Sequence, residues 1–496
     1  MTSDIDSEGV EDPDMHTGAG RHGRLFDGAP DNFVWATGIE DTFVAQTERI
    51  GERVLDEYAL TNHYIYWRED IDRAAGLGVR AMRYGIPWYR VEPAPGVFEW
   101  DWVDRVLEYA AGVRGIAIVA DLVHYGTPLW MDNQFLNTSY PQRVAHYAFE
   151  FARRYRHLLS HYTPLNEPRV TMDFCGGLGI WPPYLRGDDG AVKILRSIAR
   201  GMALTVQAIR EADPRAAIVH VEAAGEWLPA PDAPDDVVRV AALRTASTFI
   251  ATDLITGRVR EGHPLLEWLL TNGMTEADLD WHISHPVDID IAGVNYYPES
   301  GVHCLRALED THYGTQHIRS YNAHPGMYGG MYVQERLWGW VEGLERALRA
   351  FAGRYDRPVI ITETSTNGTV QQRAQWLSES VGAVARLRTE GVPVVGYTWW
   401  PLFDLIDWSY RAGARPIEEF FVRLGPPTLD PRHVAGALEA MRWPRLEQLP
   451  LEAYLVPMGL YALVMQFDGT FRRVPTPLVE QYAHCISQGM VPLAGV

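Results

Sequence analysis

From Phe33 onward the chain alternates between two hydrophobic patterns. Short continuous apolar runs, as expected of strands buried on both faces, recur between stretches whose apolar residues mark one face of a helix. Phe33-Val34-Trp35-Ala36-Thr37 is the first run. A helix over Trp67 to Ala75 closes at Gly76 and Gly78 and gives way to Val79-Arg80-Ala81-Met82-Arg83-Tyr84. Val103, Val106, Leu107 and Ala110 mark the next helix, and Ile116 to Val123 the next strand. A helix around Val144 to Phe151 precedes the run that ends at Asn166-Glu167, and a long one from Val192 to Ala212 precedes Ala217 to Val221. Helical residues near Leu265 to Leu270 lead to Ile289 to Val294, Val341 to Ala352 to Val359 to Thr364, and Ala374 to Leu387 to Val394 to Thr398. Eight strands separated by helices predict a parallel sheet with right-handed crossovers, closed as an α/β, (β/α)8 TIM barrel.

Two segments interrupt this rhythm. Residues 298–335, rich in Gly, His and Tyr, read as a long loop after the sixth strand. Residues 409–458 read as an insertion after the eighth, followed by a strand and turn over Gly459 to Asp468. Long loops at the carboxyl face are where barrels vary their substrates. Residues 1–30 carry seven acids, two Arg and little apolar material, so they read as a disordered acidic tail. That leaves 31–496 as a single barrel domain.

Composition narrows the partners. A net charge of −20 disfavours nucleic acid, an anionic membrane surface and polyanionic substrates, and suits a small neutral molecule. The three cysteines, Cys175, Cys304 and Cys485, have neither a disulfide framework nor zinc spacing. The first residues lack a basic start and an apolar signal core, and no run reaches membrane-spanning length. A cytoplasmic location is the expectation; oligomeric state is not legible.

The candidate chemistry gathers at the strand ends. In Thr163-Pro164-Leu165-Asn166-Glu167-Pro168 the second proline cannot donate to a sheet, so the strand should stop there and leave Asn166 and Glu167 at its carboxyl end. Val359-Ile360-Ile361-Thr362-Glu363-Thr364 is a second β-branched run ending in Glu. A barrel would bring these together with Arg83, His124, Asn295-Tyr296-Tyr297 and Trp400 to Trp408. Indole faces stack on a sugar's C–H surface, planar polar groups read its hydroxyls, and two carboxyls flanking a glycosidic bond supply an acid and a nucleophile.

From Phe33 to Tyr482 the chain resembles glycoside hydrolase family 1, the β-glucosidase family, as a divergent member. The resemblance is carried by Arg83-Tyr84-Gly85-Ile86-Pro87-Trp88, His124, Asn166-Glu167-Pro168, Gly293-Val294-Asn295-Tyr296-Tyr297, Thr362-Glu363 and Gly396-Tyr397-Thr398-Trp399-Trp400, with Asp404 and Asp407-Trp408. It implies a retaining β-glycosidase acting on a terminal β-linked sugar by double displacement, without metal or organic cofactor. Glu167 would be the acid/base and Glu363 the ionised nucleophile. Asn166 would contact the 2-hydroxyl, Tyr297 and Arg83 would orient Glu363, His124 would read a ring hydroxyl, and Trp400 and Trp408 would form the floor and wall of the pocket. Asn295 joins these as a substrate-binding residue, while Trp399 is expected in the core. A transglycosidase using an acceptor alcohol and a catalytically silent sugar-binding barrel are the alternatives.

The chain also departs from the family pattern. Where members usually carry a Gln that grips the 3- and 4-hydroxyls, this loop reads Thr37-Gly38-Ile39-Glu40-Asp41-Thr42, so Glu40 or Asp41 takes that place. The usual Glu for the 4- and 6-hydroxyls is Asp407. Because phospho-sugar members usually lack the acid–Trp pair, Asp407-Trp408 disfavours a phosphorylated substrate.

Overall fold

In this computed structural model, residues 25–26, 31–49, 51–307, 327–328, 332–412 and 449–494 are described. Eight parallel strands close into a barrel: β1 Val34–Gly38, β2 Ala81–Gly85, β3 Ala117–Asp121, β4 His161–Thr163, β5 Ala217–Ala223, β6 Ile291–Asn295, β7 Val359–Thr364 and β8 Val394–Trp399. Each strand pairs with its neighbours in sequence, and β1 closes the ring against β8. Residues from opposite faces of the strands serve two cores. Val34, Ala36, Ala81, Val119, Val221, Ile291 and Ile360 fill the barrel's interior, while Trp35, Met82, Ile118 and Ile361 pack outward against the helices.

The helices expected from periodicity form with somewhat wider bounds, among them Tyr140–Tyr155, Gly187–Ala212 and Trp340–Tyr355. The helix containing Val103 and Val106 ends at Leu107 and continues as a π turn over Glu108–Val113, which keeps Ala110 buried. Residues 298–335 differ from the loop expected there. Val302–Ala307 pairs antiparallel with Tyr332–Leu337 and parallel with Glu226–Pro229, making a three-stranded sheet beside the barrel. Residues 308–326 and 329–331 lie outside the described residues.

Most of the stretch read as a tail, 1–24 and 27–30, also lies outside the described residues. Leu25 and Phe26 are described and are buried within the barrel's interior cluster, ahead of the boundary expected at residue 31. Phe26 meets His161 edge to face at 5.4 Å. Of the insertion, 413–448 lies outside the described residues. Leu405–Ile406, just before it, pairs with Leu455–Val456 near its far end. The strand and turn expected at Gly459 to Asp468 are half of a hairpin, Tyr461–Met465 against Phe471–Pro475.

That hairpin is fastened to the barrel by buried charge. Arg473 donates to both oxygens of Asp70, at 2.9 and 2.8 Å, and His63 Nδ1 lies 2.9 Å from the same carboxylate. Burial alone would raise Asp70, but His63 and the Arg473 guanidinium outweigh it and hold the carboxyl below its usual range. The contribution is therefore complete above the unfolded carboxylate range and is lost as pH falls through the depressed folded value. Asp404 secures the same region by accepting Gly459 N at 2.9 Å and Leu463 N at 3.1 Å. Replacing Arg473 by Met should leave Asp70 short of its partner and cost about 3–5 kcal/mol in urea unfolding near neutral pH. An unchanged unfolding midpoint would show that the pair does not hold the hairpin.

Candidate active site

Glu167 and Glu363 reach the barrel's carboxyl end by different local devices. After His161–Thr163 the chain leaves the sheet; Asn166 and Glu167 are tied back through Asn166 N to Val123 O and Glu167 N to Val221 O, at 2.9 and 3.1 Å. Glu167 itself adopts φ 42°, in the left-handed region, directly ahead of the short helix Pro168–Thr171. Strained backbone of this kind persists only where surrounding contacts hold it. Glu363 lies where the pairing of β7 shifts register against both β6 and β8, so the strand is irregular at the residue it presents.

Both carboxyls are almost fully enclosed, 6% and 4% exposed, and each receives two donors. Arg83 Nη1 donates to Glu363 Oε1, and Tyr297 OH donates to Oε2 at 2.7 Å. Asn295 Nδ2 donates to Glu167 Oε1 at 2.8 Å, with its own Oδ1 taken by Thr362 at 2.6 Å; Tyr125 OH donates to Glu167 Oε2. The two halves share Arg83, whose Nη2 donates to Asp121 and, at 2.6 Å, to Asn166 Oδ1.

His124 stacks on Trp400 at 6.2 Å with the rings 5° from parallel. Its Nδ1 lies 2.6 Å from Asp41 and 3.0 Å from Asp121, while its Nε2 lies 2.9 Å from the Asn166 amide nitrogen. Since an amide NH2 only donates, this spacing puts the imidazole proton on Nδ1. Burial opposes charge on His124, but Asp41 and Asp121 outweigh it and raise its proton affinity well above the usual histidine range, toward an imidazolium in which Nε2 would donate and the contact with the Asn166 NH2 would be lost. Burial likewise pushes Asp41 up to about 6, against the pull of His124. Glu40, Asp41 and His124 each bring one possible metal-ligating atom within 4.8 Å of the others. The Nδ1 hydrogen bond goes to Asp121, so the closer approach of Asp41 is a charge contact rather than a well-aimed hydrogen bond.

The two acids of the first loop fare differently. Asp41 is fully buried behind His124, in space that exists only because residue 85 is glycine; a Cβ there would lie 2.0 Å from Asp41 Oδ2. Glu40 is 5% exposed, accepting Trp400 Nε1 at 3.0 Å and Thr42 Oγ1 at 2.6 Å. Asp407 is 9% exposed, and its Oδ1 accepts Ser409 N at 2.7 Å. Trp408 packs against Trp181, Tyr125 and Phe174. Trp399 is in the core, as expected, donating to Met458 O at 3.2 Å.

Sequence reasoning missed Tyr125, Trp181 and Phe174. An aromatic directly after a candidate His was the available signal for Tyr125; Phe174, in the π turn Met172–Gly177, and Trp181, in the loop after it, belong to no motif. Glu222, at the end of β5, is fully buried and spends its carboxyl on the backbone N–H groups of Arg169 and Ala223. Burial raises it well above the carboxylate range, Arg169 opposing and Glu167 adding to the shift.

An eight-stranded parallel barrel carrying two enclosed carboxyls among aromatic and amide side chains has the form of a sugar-cleaving enzyme. The protein is a glycoside hydrolase, and its chain belongs to Glycosyl hydrolase family 1, whose model matches residues 27–415. It is similar to the β-glucosidase of an Agrobacterium species, 26% identical over 70% of this chain and 77% of that protein. β-Glucosidase A of Thermotoga maritima is 25% identical over 70% of this chain and 79% of its own length. An aryl-phospho-β-D-glucosidase of Bacillus subtilis is 24% identical over 70% and 77%. Among solved structures, the family 1 β-glucosidase of Thermotoga maritima superimposes with a TM-score of 0.69 at 20% identity, covering 93% of this chain and 98% of that one.

Burial, with Glu167 beside it, pushes Glu363 up to about 8 against the pull of Arg83. Burial thus works against the expected ionisation of Glu363, and Arg83 works for it. One guanidinium shared with Asp121 does not offset burial and a second carboxyl, so Glu363 binds its proton more tightly than a free carboxyl does. A pair that works with one proton loses its active form as pH rises through that value. The kcat/KM profile should fall on its alkaline side near pH 8, as that last proton leaves. A profile flat from about pH 6 to about 10 would contradict it.

Proposed function

We propose that the protein is a retaining β-glycosidase in which Glu167 is the acid/base and Glu363 the nucleophile. The observation that carries this is the pair itself: two enclosed carboxyls, each gripped by its own donors and joined through Arg83 and Asn166. In the first step Glu363 attacks C1 as the C1–O bond breaks, and the Glu167 proton passes to the leaving oxygen. Arg83 and Tyr297 favour charge on Glu363, so substrate binding finds the shared proton on Glu167. Esterified Glu363 no longer carries charge; Glu167, now ionised, takes a proton from the water that releases the sugar.

Around this centre Trp400 is the floor of the sugar site and Trp408 its wall. Asn166 and Asn295 lie beside the 2-hydroxyl, and His124, whose Nε2 faces the Asn166 amide, meets a ring hydroxyl when the sugar displaces that contact. Glu40, rather than the enclosed Asp41, faces the sugar, and Asp407 lies at the pocket's rim. So many carboxyls disfavour a phosphorylated glycone by like charge and fit a neutral one. The barrel with its appended hairpin acts as one catalytic domain.

Glu363→Gly should abolish turnover of every glycoside, because no other group forms the covalent intermediate. Glu167→Gly should keep turning over an aryl β-glycoside with a good leaving group, and azide should accelerate it by replacing activated water. The product identifies the roles: a β-glycosyl azide from the Glu167 variant is expected. An α-azide from that variant would mean that the two roles are exchanged.

A further inference from the structure

Tyr125 sits in a left-handed backbone conformation, φ 71°, that a tyrosine adopts only under constraint. The constraint is visible on both sides. His124 O accepts Phe43 N at 3.1 Å, and Gly126 lies so close to Phe43 that a Cβ would be 1.5 Å from its carbonyl oxygen. The ring is wedged edge-on between His124 at 4.5 Å, Trp181 at 5.0 Å and Trp408 at 5.4 Å, and it is 2% exposed. Its hydroxyl meets Glu167 Oε2 on one side and Asn166 Nδ2, at 2.9 Å, on the other.

The direction of these hydrogen bonds is fixed. Asn166 must present its Oδ1 to the Arg83 guanidinium at 2.6 Å, so its NH2 faces Tyr125. An amide NH2 only donates; the phenol oxygen accepts from it, and the phenol hydrogen is sent on to Glu167. Arg83, Asn166, Tyr125 and Glu167 thus form one polarised chain from a permanent cation to a carboxyl, each donor strengthened by the one behind it.

We infer that Tyr125 is a positioning residue for the reaction: its hydroxyl holds the Glu167 carboxyl in place and stabilises that group's ionised form as the proton leaves. This rests on the reading of Glu167 as acid/base. Tyr125 transfers no proton. In the first step the Glu167 proton goes to the leaving oxygen together with the electrons of the broken C1–O bond. The phenol keeps its hydrogen and donates more strongly to the new carboxylate. Each carboxylate oxygen has two lone pairs, so Oε1 with Asn295 and Oε2 with Tyr125 both retain room for a further partner.

Other charges face the same groups. Glu363, Glu222 and Tyr297 lie around Glu167, Arg169 lies beside Glu222, and His124, Glu363 and Glu40 lie around Tyr125. All remain in Tyr125→Phe, which removes one oxygen. A weaker acid should follow: the alkaline limb of kcat/KM moves up by about one pH unit, the size of one lost hydrogen bond to a charged group. Turnover of glycosides with poor leaving groups should drop roughly tenfold, while a dinitrophenyl glycoside, which needs little protonation, changes little. Difluorotyrosine at position 125, nearly the same size and a stronger donor, should move the limb down and keeps the test open if Phe disturbs folding. Profiles that superimpose, or an equal loss for all leaving groups, would reduce Tyr125 to a space-filling ring. The two readings fail separately: azide rescue of Glu167→Gly would persist if only Tyr125 were misread.

Discussion

The site depends on a shortage of positive charge. Arg83 is the permanent cation hydrogen-bonded at its centre, fully enclosed by the barrel, and it faces Glu363, Asp121 and Asn166 at once. Asp41 and Glu40 add further carboxyls, with His124 as a partial counterweight. Burying so much negative charge against one guanidinium is costly unless protons remain behind. That requirement explains why Asp41 and Glu363 hold protons more tightly than free carboxyls do. An enzyme that must give a proton to one oxygen and take it back from another can use that retained proton directly.

The geometry around Arg83 is kept by features outside the site. Gly85 makes room for Asp41, Gly126 lets the His124-Tyr125 loop press on Phe43, and the irregular pairing of β7 turns Glu363 inward. The C-terminal hairpin is clamped by Asp404 and by the Asp70–Arg473 pair, and Trp399 donates into the segment before it. Stability and preorganisation are here two results of the same packing.

Much of this was legible before any coordinates. Parallel barrel strands are buried on both faces and leave continuous apolar runs, so all eight strands could be counted, and the carboxyl ends of four of them carried Arg83, Asn166-Glu167, Asn295 and Glu363. The sheet in 298–335 was not legible, because its strands pair across long sequence separations, with each other and with Glu226–Pro229. That Asp41 rather than Glu40 is the one packed away behind His124 could not be read either. A single residue of backbone path decides it, together with a glycine some forty positions away. An aromatic beside His124 was the only sign of Tyr125 in the sequence, because its hydrogen bond and its backbone angle depend on residues distant in the chain.

Family membership and the barrel do not separate hydrolysis from delivery of the sugar to an acceptor alcohol, because under the proposed double displacement both pass through the same glycosyl-enzyme. The residue that carries that sugar is therefore the most direct point to examine. A dinitrophenyl 2-deoxy-2-fluoro-β-glycoside reacts through its good leaving group, while the fluorine slows release by destabilising positive charge at C1. Peptide mapping of the inactivated protein should find the fluorosugar esterified to Glu363. Label on Glu167 or another carboxyl, or inactivation without any covalent label, would contradict the account.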